Sequence, residues 1–245
     1  MIAPSFRIVG RGRAGGAFVD ALVHAGWRLD ASFGRGAALA DVARGVDVVI
    51  IATPDRAIAE VASAIRPVDS TVIIHLSGAL GLDVLAPHAR RAAVHPLMTL
   101  PDAQTGAARL RGGWFAVAGD DVARDVVRAL DGHPFVVADE DRARYHAAAV
   151  VASNHLVVLL GQVERLAASV DVPFAAFLPM IRAAVDNVEA LGAARALTGP
   201  AARGDDATIE RHLQALDESE RPLYRVLSNA ARTLASSATK PREDG

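Results

Sequence analysis

The chain has 245 residues, 51% of them hydrophobic, and a formal net charge of -2. This is enough apolar material for one large or two modest domains with buried cores, and without a basic tract nucleic acid is not an expected partner. Cysteine is absent and the single lysine is Lys240, which excludes disulfides, thiolate chemistry and lysine-based catalysis in the body of the protein.

The first apolar run, 6–9, reads as a strand. It enters "GRGRAG" at 10–15, and an amphipathic helix follows over 14–24. A G-x-G-x-x-G between a strand and a helix is the spacing of a dinucleotide-binding turn. Gly10 permits the tight turn, Gly12 lets backbone approach a pyrophosphate, and Gly15 allows close helix–strand packing. The helix start at Arg13 and Ala14 then faces the anion. Gly16 blurs the motif.

The second strand is expected over 28–33. An NAD site wants a carboxylate at its end, for the ribose 2′-hydroxyl. Asp30 lies mid-strand, and the loop beyond offers Ser32, Gly34 and Arg35. A small residue followed by arginine suits a 2′-phosphate. The expected cofactor is therefore NADP(H), with Arg11 and Arg13 adding positive charge. Asp30 is the feature that speaks against it, and a solvated loop arginine is the other reading of Arg35.

The third strand, 47–52, is apolar on both faces and ends in Ala52-Thr53-Pro54-Asp55. That loop is expected beside the nicotinamide half of the cofactor, although Asp55 also reads simply as the cap of a helix over 56–65. Strands at 70–75 and 92–95 place Ser77 and His95 just past their C-terminal ends, where open α/β sheets bind ligands. A histidine there can move a proton to or from a carbonyl oxygen. Ser77 can donate to that oxygen or position the nicotinamide amide. His95 also reads as a loop residue fixed before Pro96, and His75 as structural. Strands at 114–117 and 134–138 complete a largely parallel, doubly wound sheet.

After residue 139 no strand pattern remains. The α/β class is thus expected to hold a sheet domain over 1–139, a smaller all-helical domain over 140–236 and a disordered tail over 237–245. Helices are expected at 174–191, broken near Pro179, at 207–216 and at 220–235. The long helical run places His146, Ser153 and Asn154 within about 100° on one face. That stripe faces either the nicotinamide or a neighbouring helix; His155 points elsewhere and is expected to be packed. "LTGPAARGDDAT" at 197–208 holds a helix end, a cap at Asp205 or Asp206, and Arg203. Arg203 is either a clamp for a substrate carboxylate or a surface arginine. The histidines show no metal spacing. No apolar run looks long enough to span a membrane, and no signal-peptide pattern opens the chain, so a cytoplasmic protein without a membrane partner is expected.

Taken together, "GRGRAGGAF", "ATPD", "HLSGALG", "HPLMTL", "YHAAAVVASNHLVVLL" and "LTGPAARGD" resemble the 6-phosphogluconate-dehydrogenase-like superfamily. Within it they are most similar to Rossmann-like proteins with a helical domain of unknown function, also described as deazaflavin-dependent NADP oxidoreductase-like. The resemblance implies an N-terminal Rossmann domain, a helical domain that usually dimerises, and an oxidoreductase; some members are thought to be ketopantoate reductases. Ser77 and His95 look like the serine and H-P histidine flanking the hydride-transfer site of prephenate and arogenate dehydrogenases. The turn at Arg203 is similar to one at the dimer-built site of pyrroline-5-carboxylate reductases. Hydroxyacid dehydrogenases of the superfamily carry a lysine four residues before an asparagine; here Val150 precedes Asn154. Acid–base duty then falls on His95, His146 or water.

The expected function is an NADPH-dependent reductase of a small 2-oxo acid, ketopantoate the first choice. A prephenate-like dehydrogenase and an imine reductase are rivals, and a non-catalytic NADP(H) sensor is the alternative of another class.

Overall fold

The computed structural model describes residues 3–238. It contains two compact units, Met1–His155 and Leu156–Gly245.

The first unit is a seven-stranded sheet in the order β2-β1-β3-β4-β5-β6-β7. The strands are β1 (Ser5–Val9), β2 (Arg28–Phe33), β3 (Val48–Ile51), β4 (Val72–His75), β5 (Arg91–Pro96), β6 (Trp114–Gly119) and β7 (His133–Val136). All neighbours pair in parallel except β5 and β6, which run antiparallel. Every residue of β3 and β4 is buried, because both faces of the sheet are covered. On one face Phe6, Ile8, Val48 and Ile50 meet helices α1 (Arg13–His24), α3 (Ala103–Leu110) and α4 (Val122–Ala129). On the other, Val9, Val49, Ile51 and Ile73 meet α2 (Asp55–Ala64) and the chain around Val42 and Val46.

The alternation is the period of two that a strand imposes. Helices α1 and α3 approach through small residues: a Cβ on Gly16 would lie 2.7 Å from that of Ala103, and one on Gly106 2.8 Å from that of Ala17. Gly16 thus serves helix packing, which is why it follows the dinucleotide motif without belonging to it.

This unit also includes α5 (Arg142–Val150) and a π-helical turn at Val151–His155. The division therefore falls at the π turn instead of near residue 140. A side-chain hydrogen bond between Tyr145 and His95, and the ring contacts of Tyr145 and His146 with His95, join α5 to β5.

The second unit holds α6 (Leu156–Ala168), a 3₁₀ turn at Phe174–Ala176, α7 (Leu178–Leu191), α8 (Ala193–Ala196), α9 (Pro200–Arg203), α10 (Asp206–Ala215) and α11 (Arg221–Ala238). Pro179 sits in the first turn of α7, where its missing N–H costs nothing, so it starts this helix and does not break one. Asp205 caps α10 by accepting from the Thr208 N–H at 3.0 Å. Buried Gln162 and exposed Arg165 on α6 both bond Glu220, which joins α6 to the start of α11. Helix α11 reaches Ala238, into the stretch expected as tail; the remainder of that stretch, with Lys240, lies outside the described residues.

One helical run among the described residues, Asp139–Ala168, is long and apolar enough to cross a membrane by length and composition, with a mean hydropathy of 1.4. This corrects the reading that no run reaches that length. Polar residues at 146, 153 and 154 lie within it.

Candidate functional site

The glycine turn has the geometry its sequence implies. Gly10 adopts φ +115°, and its N–H donates to Phe33 O at 2.9 Å. A Cβ there would lie 2.5 Å from Ala52 O. One on Gly15 would lie 1.9 Å from Gly10 O and 3.4 Å from the Ala52 Cβ, so turn, helix and the loop after β3 close on one another. Gly12 differs: nothing lies within 4 Å of a Cβ built on it. It caps α1 without a side-chain hydrogen bond, and no acid stands in the first turn. The N–H groups at Arg13, Ala14 and Gly15 open the helix, with the positive end of its dipole behind them. That is the donor set an anion needs. At the next loop Thr53 Oγ1 is buried without a partner.

The charges around this turn are distributed as a 2′-phosphate would require. Asp30 is held by Arg7 at 2.6 Å and Arg28 at 3.3 Å. The Arg7 hydrogen bond keeps its carboxyl below the usual range. It sits three residues, about 10 Å, before the end of β2. Arg11 donates to Ser32 O at 2.6 Å and lies against Gly34. Arg13 and Arg35 are exposed, and neither forms a hydrogen bond or ion pair among the described residues. Arg35 follows β2 in a turn whose Gly36 has φ +78°.

Ser77 and Asp55 form one unit. The buried Ser77 hydroxyl donates to Asp55 Oδ2 at 2.7 Å and accepts from the Ala79 and Leu80 N–H groups, each at 3.2 Å. Its single proton is committed to the carboxylate, so it ties the loop after β4 to α2. Asp55 opens α2 as its first residue. His75 accepts from the Ser77 N–H at 3.2 Å and lies 3.3 Å from Gly81 O, an arrangement that makes it a neutral, structural histidine. Burial lowers its pKa to about 4.

His95, next to last in β5, lies flat over Gly78: a Cβ on Gly78 would come within 2.7 Å of its ring. Its Nδ1 is 2.7 Å from the Tyr145 hydroxyl, and His146 meets it edge-on at 6.2 Å. Burial first, then His146, lowers its pKa to about 4, so the imidazole is neutral at pH 7. His95, His146, Ser153 and Asn154 line one cavity of about 560 Å³ with Pro96, Leu97, Met98, Thr99, Tyr145 and alanines of α5. Ser153 and Asn154 lie in the π turn; such turns recur at functional sites. Ser153 Oγ lies 2.7 Å from Ala149 O and 3.0 Å from Asn154 Oδ1.

His155, in the π turn, is exposed and not packed as expected. Arg203 is exposed at the end of α9 in the second unit, where its charge bears on Asp205. No cluster of potential metal ligands occurs among the described residues.

Two residues escaped the sequence reading. Tyr145 stood next to His146 as the one polar aromatic on an alanine-rich helix, which was the available signal. Gly78 looked like an ordinary loop glycine, and only the ring laid over it shows why no side chain fits.

Residues 34–101 match a Rossmann-like domain and residues 115–231 the Domain of unknown function (DUF2520). The chain thus pairs a Rossmann-like fold with the helical domain that its motifs resemble. No curated protein sequence matches it. Among solved structures it is similar to a candidate NADP oxidoreductase of Bacteroides fragilis, at 20% identity and TM-score 0.80, covering 94% of this chain and 98% of that one. It is similar to a Thermotoga maritima protein at 22% identity and TM-score 0.75, covering 96% and 100%. A Plasmodium falciparum pyrroline carboxylate reductase with NADP bound is similar at 12% identity and TM-score 0.61, covering 94% and 98%.

Proposed function

We propose that the protein is an NADPH-dependent reductase that delivers hydride to the carbonyl or imine carbon of a small molecule beside His95. One observation carries this reading. The uncapped glycine turn and the His95 cavity lie on the same edge of one sheet, after β1 and β5. Three strand spacings, about 14 Å, separate those strands, a span for an extended dinucleotide with its phosphates at the turn. The likeness to an NADP-bound reductase supports the same reading.

The N–H groups at the start of α1 hold the pyrophosphate, Arg35 and Arg13 the 2′-phosphate, and the Thr53–Asp55 loop the nicotinamide side. Bound there, the reduced nicotinamide supplies the hydride. His95 supplies the proton to the developing oxyanion through Nε2. His146 and Asn154 orient the substrate, and Leu97 and Met98 keep the oxygen's surroundings dry. A cavity of about 560 Å³ suits a small molecule.

Its lining carries no charged side chain among the described residues. A neutral ketone or cyclic imine needs none. Ketopantoate or another 2-oxo acid needs a cation from beyond the lining. A fluorescence titration tests the cofactor. NADPH should bind at least about tenfold tighter than NADH, 1.4 kcal/mol, and Arg35→Ser should erase most of the difference. Equal affinity of the wild type for both would sink the NADP assignment.

The reading includes a second copy of the chain, in the cytoplasm. Val157 and Val158 on α6, Met180 and Val185 on α7, and Val226 on α11 are all more than half exposed. So many apolar side chains need a covering surface. Glu164 and Arg165 within the apolar run make protein a better cover than lipid. Sedimentation should give a dimer of the 25.5 kDa chain, and Val158→Asp with Val185→Asp a monomer; a monomeric wild type contradicts it.

A further inference from the structure

We propose that Tyr145 fixes the tautomer of His95 and resupplies its proton, with the buried Arg142 guanidinium holding the charge left behind. The proposal rests on the reductase reading and adds the part that sequence motifs do not contain.

The Tyr145 hydroxyl has one hydrogen-bond partner among the described residues, His95 Nδ1 at 2.7 Å. A half-buried phenol proton needs an acceptor. Donation to Nδ1 satisfies it and leaves the ring proton on Nε2; the opposite tautomer would strand the phenol proton. Arg142 is 2% exposed, donates through Nε to Asp139 at 2.6 Å, and keeps a buried NH1 with no partner. A buried guanidinium with a spare donor is costly unless it serves a negative charge. Burial raises the Tyr145 pKa to about 12, and the Arg142 charge works against that rise; the same charge also lowers the His95 pKa.

In the step, hydride from the reduced nicotinamide reaches the substrate carbon and the C=O electron pair moves to oxygen. That oxygen takes the Nε2 proton of His95. Nδ1 takes the Tyr145 proton, so the imidazole stays neutral throughout. Tyr145 is left as a phenolate beside Arg142 until Nε2 takes a proton from solvent and Nδ1 returns its own to the phenolate, which restores the starting tautomer.

Nitrogen NMR of the His95 ring reads the tautomer without substrate or cofactor. The wild type should show an unprotonated Nδ1 and a protonated Nε2. Tyr145→Phe keeps the ring that packs on Phe135 at 5.8 Å and should release the ring to a mixture of tautomers. Its kcat should fall about tenfold or more while KM holds. Arg142→Gln should raise the His95 midpoint from about 4, and Arg142→Lys should restore it. A protonated Nδ1 in the wild type, or an unchanged ring in Tyr145→Phe, overturns the relay. Failure to bind NADPH with the tautomer intact would overturn the reductase reading instead.

Discussion

Replacing His95 by Asn is expected to lower kcat by about 10²–10⁴-fold, the range for loss of a positioned proton donor, with NADPH binding retained. The reason is the inventory around it. The chain body has no lysine, Ser77 has its proton committed to Asp55, and His75 is buried and fully bonded. His95 is the group at the sheet edge that touches the cavity, carries a transferable proton and has a partner to refill it. Asparagine keeps a hydrogen-bonding group of modest size over Gly78, so the loss is chemical and not architectural. Steady-state kinetics beside a fluorescence titration separate the two. Intact binding with lost turnover supports an enzyme. A variant as active as the wild type would move acid–base duty to His146 or water.

The glycine turn yields the second large effect, as a contrast. Gly15→Ala sets a Cβ 1.9 Å from Gly10 O, so α1 must shift off the turn. Such overpacking costs about 1–3 kcal/mol, and NADPH affinity should fall by about tenfold or more as the N–H groups move. Gly12→Ala meets nothing within 4 Å and keeps an ordinary backbone conformation, φ -76°. Its melting temperature should match the wild type, or rise slightly from reduced chain entropy, yet NADPH binding should weaken, because the methyl enters the space kept for phosphate. If Gly12→Ala binds NADPH normally, no ligand approaches that backbone.

The sheet could be read from the sequence because its central strands, β3 and β4, are short runs apolar on both faces, and the strands are separated by glycine, proline or polar loops. The placement of His95 and Ser77 followed from that pattern, since a strand's end fixes what lies past it. Three features could not be read this way. The π turn at Val151–His155 has no composition signature, and His155 within it is exposed. Tyr145 depends on a contact fifty positions away in the chain. Ser77 carried the expected residue type, but only the structure shows that its hydroxyl points to Asp55. Asp30 shows the opposite case. It looked like a competitor for the ribose until Arg7 and Arg28 proved to hold it below the strand end.

The central claim is turnover at His95, and NADPH oxidation tests it most directly. Wild type and His95→Asn would be assayed in parallel against ketopantoate, other 2-oxo acids, neutral ketones and cyclic imines. The account predicts oxidation that depends on one substrate class and collapses in the variant. NADPH that binds tightly yet is oxidised with none of them would contradict it and leave a nucleotide-sensing protein in its place.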